Sequence, residues 1–195
     1  MKSNKNIAVF IDRDGTVSEE VGYLRNIAHL KLIKGSADAV RLLNERGLKT
    51  AVVTNQSGVA RGYFTEEFIH KTHERLKTLL SEYNAFLDGI YYCPHHTEVG
   101  NEEYRKNCNC RKPNPGMIET AAEELNIDIK KSYVVGDKVS DVQLAHNVGA
   151  KGILVLTGYG KGEVEYFRNN GNKKPDYIAN DLYDAVQWIL KDIKK

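Results

Sequence analysis

Long hydrophobic runs are missing from this sequence. The apolar stretches at residues 7–11 and 152–156 are five residues each, strand-sized and far short of the ~18–20 that a membrane span needs. The amino-terminal run stops at Asp12-Arg13-Asp14, too short for a secretory apolar region of ~7–15 residues. No membrane partner is expected, and a cytoplasmic location is. Net charge is nearly absent too: 28 basic against 26 acidic side chains leave +2, which argues against a nucleic-acid coat or an acidic tail. Only three cysteines occur. An odd count cannot close a pure disulfide framework, and in a reducing compartment metal binding is the better use for them. With four prolines and no linker, repeat or low-complexity tract, nothing divides the chain, and its length fits one domain, 1–195, at roughly 150 residues per domain.

What is present is enough apolar material for a core, 41% of residues, arranged in alternating strand and helix patterns. Residues 7–11, 50–54, 133–136, 152–156 and 177–179 read as strands. Between them, residues 36–46 carry Ala37, Val40 and Leu43 on one helical stripe, and Thr65 caps a helix running to about Tyr83. Asn114-Pro115 reads as a cap and first residue for a helix with Met117, Ile118, Ala121, Ala122 and Leu125 inward; residues 140–148 and 182–193 complete the set. Strands that are apolar throughout, separated by helices, imply an α/β fold: a Rossmann-like, mostly parallel sheet covered by helices on both faces. Ligands in such sheets sit at the carboxyl ends of the strands.

At those ends lie the residues that carry chemistry. The first strand closes on Asp12-Arg13-Asp14-Gly15-Thr16. Period-2 geometry turns Asp12 and Asp14 to one side and Arg13 to the other, and two carboxylates so close call for a cation between them or a shared proton. The second strand ends in Thr54-Asn55-Gln56-Ser57-Gly58, neutral donors suited to phosphate oxygens, or to an ordinary turn. Asp137 projects from a third strand end, whereas Asp141 serves equally well as a helix-start residue. Magnesium prefers about six oxygens and keeps several as water, so Asp12, Asp137, one carbonyl and a phosphate oxygen suffice. Arg111 and Lys112 add fixed positive charge: lysine a point charge for a transferring phosphoryl group, arginine a fork for a second oxyanion.

The segment from Tyr91 to Pro113 breaks the rhythm. It is polar, holds every cysteine, and between Thr97 and Asn107 offers only Val99 and Tyr104 for burial. Cys93, His95, Cys108 and Cys110 form a Cys₃His set of the closed kind that structural zinc adopts, with His96 as a substitute ligand. A zinc loop over residues 93–110 then supplies order that packing cannot. His29, His70, His73 and His146 have no partner pattern and are expected on the surface or on helix sides.

With these residues in view the chain resembles the haloacid dehalogenase-like phosphatases. The motifs are Asp12-Arg13-Asp14-Gly15-Thr16, Thr54 with the run to Gly62, Cys93-Pro94-His95-His96, Cys108-Asn109-Cys110-Arg111-Lys112-Pro113 and Gly136-Asp137-Lys138. Within that superfamily it is similar to the subgroup of heptose-bisphosphate and histidinol-phosphate phosphatases, with the zinc set and Ser57-Gly58-Val59-Ala60-Arg61-Gly62 favouring the former. The resemblance implies a Mg²⁺-dependent phosphatase acting on a small sugar bisphosphate, the alternatives being histidinol phosphate or a broader range of sugar phosphates. It implies that Asp12 is the nucleophile and Asp14 the acid and base, with Mg²⁺ on Asp12, the Asp14 carbonyl and Asp137. Thr54 and Lys112 would hold the transferred phosphoryl group, Arg111 the other phosphate, and Glu20, Val21, Gly22, Tyr23, Asn55, Gln56 and Ser57 would line the sugar. A capless monomer without nucleic-acid partners is implied as well. From a different class comes a non-catalytic zinc-stabilised binding module.

Overall fold

The computed structural model describes residues 5–169 and 173–194. Six strands, β1 (Ala8–Ile11), β2 (Lys49–Asn55), β3 (Gly89–Cys93), β4 (Tyr133–Gly136), β5 (Lys151–Val155) and β6 (Tyr177–Ala179), form one sheet in the order β3-β2-β1-β4-β5-β6. Every pairing is parallel; Phe10, for instance, lies beside Ala51 of β2 and Val134 of β4. The order reverses between β1 and β4, so the crevice of this sheet opens at the carboxyl ends of those two strands. Asp12 and Asp137 are the first residues beyond them.

Alternation along the central strands feeds two cores. Val9 and Ile11 pack with Leu43 of α1 (Ser36–Glu45), Leu76 and Leu80 of α2 (Glu66–Ser81) and Val186 and Ile189 of α6 (Leu182–Asp192). Ala8 and Phe10 face Met117 and Ile118 of α3 (Gly116–Glu124) and Leu144 and Ala145 of α4 (Val139–Val148). Phe10 is fully buried, a contribution of about 1.5–3 kcal/mol for such a side chain. Phe167 of α5 (Gly160–Asn169) packs on Leu154 and Val142 beside that second core. Only a short 3₁₀ turn (Ile27–His29) and α1 separate β1 from β2, and α2 alone separates β2 from β3. No cap domain is inserted there, so the cleft is walled by loops.

Several boundaries differ from the sequence reading for identifiable reasons. β3 begins at Gly89 and takes in Tyr91 and Tyr92; as an edge strand it is only half-buried, and its tyrosines dilute the apolar pattern. The sequence pattern does not predict α5, since its two glycines and mostly charged surface leave Val164 and Phe167 as the inward pair. Helix α3 starts at Gly116 with Pro115 as cap, because Asn114 spends its amide on the Cys108 carbonyl at 2.8 Å. Thr65 does cap α2, its hydroxyl accepting from the Phe68 N–H. His73 is a correction of burial: it sits on the inner side of α2, 5% exposed. Burial, followed by the charge of Arg13, pushes its imidazole down to about 3, so it is neutral at physiological pH. No described helix is long and apolar enough to cross a membrane.

Candidate active site

A cleft of about 320 Å³ lies over the carboxyl ends of β1, β2 and β4. Asp12 forms its floor, 5% exposed. Lys112 is buried beside it and reaches three acceptors: Asp12 Oδ1 at 2.9 Å, Asp141 Oδ1 at 2.6 Å and the Val53 carbonyl at 2.9 Å. Burial alone would drive this ammonium down, but Asp12 and Asp141 outweigh it and hold it above the ordinary lysine range. Lys112 is therefore a fixed cation. The loop carrying it is fastened by Asn55, whose carboxamide accepts from the Lys112 N–H (3.0 Å) and donates to the Lys112 carbonyl (3.3 Å).

Behind Asp12, the oxygens of Asp12, Asp137 and Asp141 lie within 4.8 Å of one another. Asp137 is fully buried; its Oδ2 accepts from the Tyr159 N–H at 2.8 Å, while Oδ1 has no hydrogen-bond partner among the described residues. Burial, then the charge of Asp12, pushes this carboxyl up to about 7. The same causes act on Asp141, raised to about 6 despite the opposing charge of Lys112. Three hard oxygen donors with one orphaned oxygen fit a divalent cation such as Mg²⁺. The backbone closes tightly around them: a Cβ on Gly15 or Gly158 would meet Asp137 Oδ2 at 2.2 or 2.1 Å. Asp141 also accepts from the Lys138 N–H at 3.1 Å at the start of α4, so its helix-start reading and its membership of the acid cluster hold together.

Asp12 and Asp14 both face the cleft as expected, but Arg13 departs from the alternation. It does not point away from Asp14 but folds back, Nε to Oδ1 at 3.0 Å and Nη2 to Oδ2 at 2.7 Å. β1 ends at Ile11 and the chain turns through residues 13–15, so the period of an extended strand no longer governs these side chains. Gln56 bridges Asp14 Oδ2 and Thr54 Oγ1, both at 2.9 Å. Burial would raise the Asp14 carboxyl, yet the charge and fork of Arg13, with Gln56 and Lys138, hold it below the usual carboxylate range.

The cleft brings together Glu20, Gly22, Tyr23, Thr54, Asn55, Gln56, Ser57, Arg111 and Lys112 with the two leading aspartates. Val21 is 45% exposed and does not line it. Lys138, Ser140, Tyr159 and Phe64 do line it, although the sequence assigned them no role. Lys138 Nζ is 3.4 Å from Glu20 Oε2 and 4.5 Å above the Tyr159 ring. A glycine-flanked loop at Tyr159 carries no period and no chemistry until folding sets it against β4.

The four residues of the cysteine-rich loop converge. Sγ of Cys93 is 3.5 Å from Cys108 and 3.1 Å from Cys110; Cys108 and Cys110 are 3.3 Å apart; His95 Nδ1 lies 3.3 Å from Cys110 and 3.7 Å from Cys93. These are longer than a disulfide, about 2.05 Å, and approach the roughly 3.7 Å edge of a tetrahedron with metal–sulfur bonds near 2.3 Å. The cluster could hold a metal ion. His96 stands outside it, with Nδ1 toward the Glu98 N–H and Nε2 toward Arg61. Two bonds tie the loop to the cleft: the His95 carbonyl accepts from Arg111 at 3.0 Å, and the Cys93 carbonyl from the Gln56 N–H at 2.7 Å.

A HAD-hydrolase-like family model matches residues 109–185. The D-glycero-β-D-manno-heptose 1,7-bisphosphate 7-phosphatase of Escherichia coli is 43% identical over 189 residues, 96% of this chain and 95% of that protein. The D-glycero-D-manno-heptose 1,7-bisphosphate 7-phosphatase of Thermosynechococcus vestitus is 43% identical over 186 residues, 93% of this chain and 94% of its own. Among solved structures, the D,D-heptose 1,7-bisphosphate phosphatase of B. bronchiseptica, complexed with magnesium and phosphate, matches with a TM-score of 0.85 at 27% identity. That match covers 95% of this chain and 99% of the other.

Proposed function

Because this chain belongs to the haloacid dehalogenase-like hydrolases, and within them to the heptose 1,7-bisphosphate 7-phosphatases, we propose that it hydrolyses the 7-phosphate of D-glycero-D-manno-heptose 1,7-bisphosphate through a phosphorylated Asp12. The product then serves the synthesis of nucleotide-activated heptose. One observation carries the assignment of the nucleophile: a buried Asp12 at the floor of the cleft, with the Lys112 ammonium on one oxygen and the Asp137–Asp141 acids behind it.

In the first step an Asp12 oxygen attacks phosphorus and the bond from phosphorus to the sugar oxygen breaks; Asp14, a carboxylate under the Arg13 fork in the free site, takes up a proton as the anionic substrate binds and gives it to that leaving oxygen. In the second, water loses a proton to Asp14 and attacks phosphorus, and the Asp12 carboxylate departs, releasing inorganic phosphate. The Thr54 hydroxyl and the Lys112 ammonium donate to the phosphoryl oxygens during both transfers. Repulsion between two anions near ~4 Å costs on the order of 4 kcal/mol at an effective dielectric of 20, and Lys112 offsets part of it. Asp12, Asp137 and the Asp14 carbonyl would hold Mg²⁺, which would supply the remaining charge neutralisation when bound. Arg111 takes the second phosphate, its guanidinium steadied by the His95 carbonyl. Glu20, Gly22 and Tyr23 wall the sugar together with Gln56 and Ser57, and Asn55 fastens the Lys112 backbone.

Phosphate release measured with both heptose 1,7-bisphosphate anomers, fructose 1,6-bisphosphate and histidinol phosphate tests the substrate. A heptose bisphosphate gives the highest kcat/KM, and chelating Mg²⁺ stops release; preference for histidinol phosphate, or metal-independent turnover, overturns the reading. Arg111→Ala lowers bisphosphate turnover far more than monophosphate turnover, because a site built for a second oxyanion rejects substrates that lack it. Equal losses on both would remove Arg111 from that role.

The Cys93, His95, Cys108 and Cys110 set holds structural zinc, which orders the loop that packing leaves loose: Val99 and Tyr104 are only half-buried. Protein purified without added metal contains about one equivalent of zinc. A metal-free sample that melts cooperatively at the same temperature rules this out.

A further inference from the structure

Arg13 is 2% exposed, lines the cleft between Asp12 and Asp14, and has no role in either transfer as written above. A buried arginine paired with a carboxylate that is itself 17% exposed is weak as a source of stability, since desolvation consumes most of the Coulombic gain. What a two-bond fork does supply is orientation. Both Asp14 oxygens receive Arg13 donors, Oδ2 receives Gln56 as well, and Gln56 is anchored to Thr54. The Asp14 plane is thereby fixed relative to the strand end that holds the phosphoryl group. On the α2 side His73 is buried and neutral. The main chain is locked in step: the Arg13 carbonyl accepts from the Val17 and Ser18 N–H groups, and the Arg13 N–H donates to Asp12 Oδ1 at 2.8 Å.

We propose that Arg13 is the positioning residue of the reaction: its fork aims the Asp14 carboxyl at the sugar oxygen that leaves, so that Arg13 contributes to turnover entirely through Asp14. The proposal rests on the acid–base role given to Asp14 above. It does not rest on charge alone, since a lysine would keep the charge and lose the planar fork.

Arg13→Lys and Arg13→Gln, each alone and combined with Asp14→Asn, are assayed with heptose bisphosphate under steady-state conditions and, for the slow variants, in single turnover with enzyme in excess. Both single variants lose about 100-fold in kcat, the lower end of general acid–base contributions, while KM stays within about twofold. In the Asp14→Asn background the further loss is less than about threefold, because residues acting as one unit are not additive. A rise in KM at unchanged kcat makes Arg13 a substrate contact and overturns the proposal. So do additive losses, full rescue by lysine, or variants that lose their cooperative melt, which assigns Arg13 to folding. If Asp14→Asn alone keeps the wild-type rate, it is the acid–base reading that fails.

Discussion

Asp12→Asn abolishes phosphate release and leaves the protein folded. The substituted amide has the volume of the carboxylate but cannot attack phosphorus, and no other carboxylate on the cleft floor takes its place: Asp137 is fully buried, Asp141 is spent on Lys112, and Asp14 is forked by Arg13. Losing the nucleophile of a covalent mechanism costs on the order of 10⁴-fold or more in turnover. The fold gains if anything, because one of three buried acids in contact range loses its charge while Lys112 keeps Asp141. A melt at or above the wild-type temperature, with no ³²P retained after acid quenching, is the expected pair of results. Turnover surviving the substitution, or label found on another residue, sinks the mechanism.

Lys112→Met damages both activity and stability. The substitution keeps length and apolar volume but leaves Asp12 and Asp141, 7% and 1% exposed at their side chains, without the cation they share. Breaking a buried pair in this way costs about 3–5 kcal/mol, and for a domain of this size each kcal/mol moves the midpoint by about 2–4 °C. The pH dependence has a definite sign. The Asp141 carboxyl is already raised to about 6 in the folded protein, above its ordinary 3.8. Its stabilising contribution is therefore complete only when protonated, below the unfolded value, and is lost as pH rises through the folded one. Without Lys112 that window extends upward, so the destabilisation is larger at pH 8 than at pH 5. Denaturant midpoints of wild type and variant at the two pH values read this directly, and a penalty independent of pH would show that Lys112 is not what opposes the raised Asp141 carboxyl. Turnover falls at either pH with the loss of the cation proposed to hold the phosphoryl group.

Much of this site was legible in one dimension because its residues are contiguous at strand ends. The acid pair after β1, the donor run after β2 and Asp137 after β4 each follow a buried, β-branched strand, and a parallel sheet sends such ends to one crevice. The candidate metal set stood out because every cysteine falls within it. Where pattern was weak the reading failed. Half-buried tyrosines hid the start of β3, two glycines hid α5, and the turn after Ile11 reversed Arg13. Asn55 and Gln56 read as neutral donors lining the sugar; the partners that fix them, the Lys112 backbone and the Asp14 carboxylate, lie 57 and 42 residues away.

Local order and chemistry were thus written in the chain itself: which segments are strands, which acids end them, which four residues can grip a metal. Those properties depend on neighbours a few positions apart, through backbone sterics, periodic burial and ligand type. Partnership was not written there. That Lys112 bridges Asp12 to Asp141, that Tyr159 closes over Asp137, and that a loop carbonyl steadies Arg111 are matters of distances across the fold. Electrostatic and hydrogen-bond energies depend steeply on separation and on exclusion of water, and both are set only when the sheet and its loops close around the site.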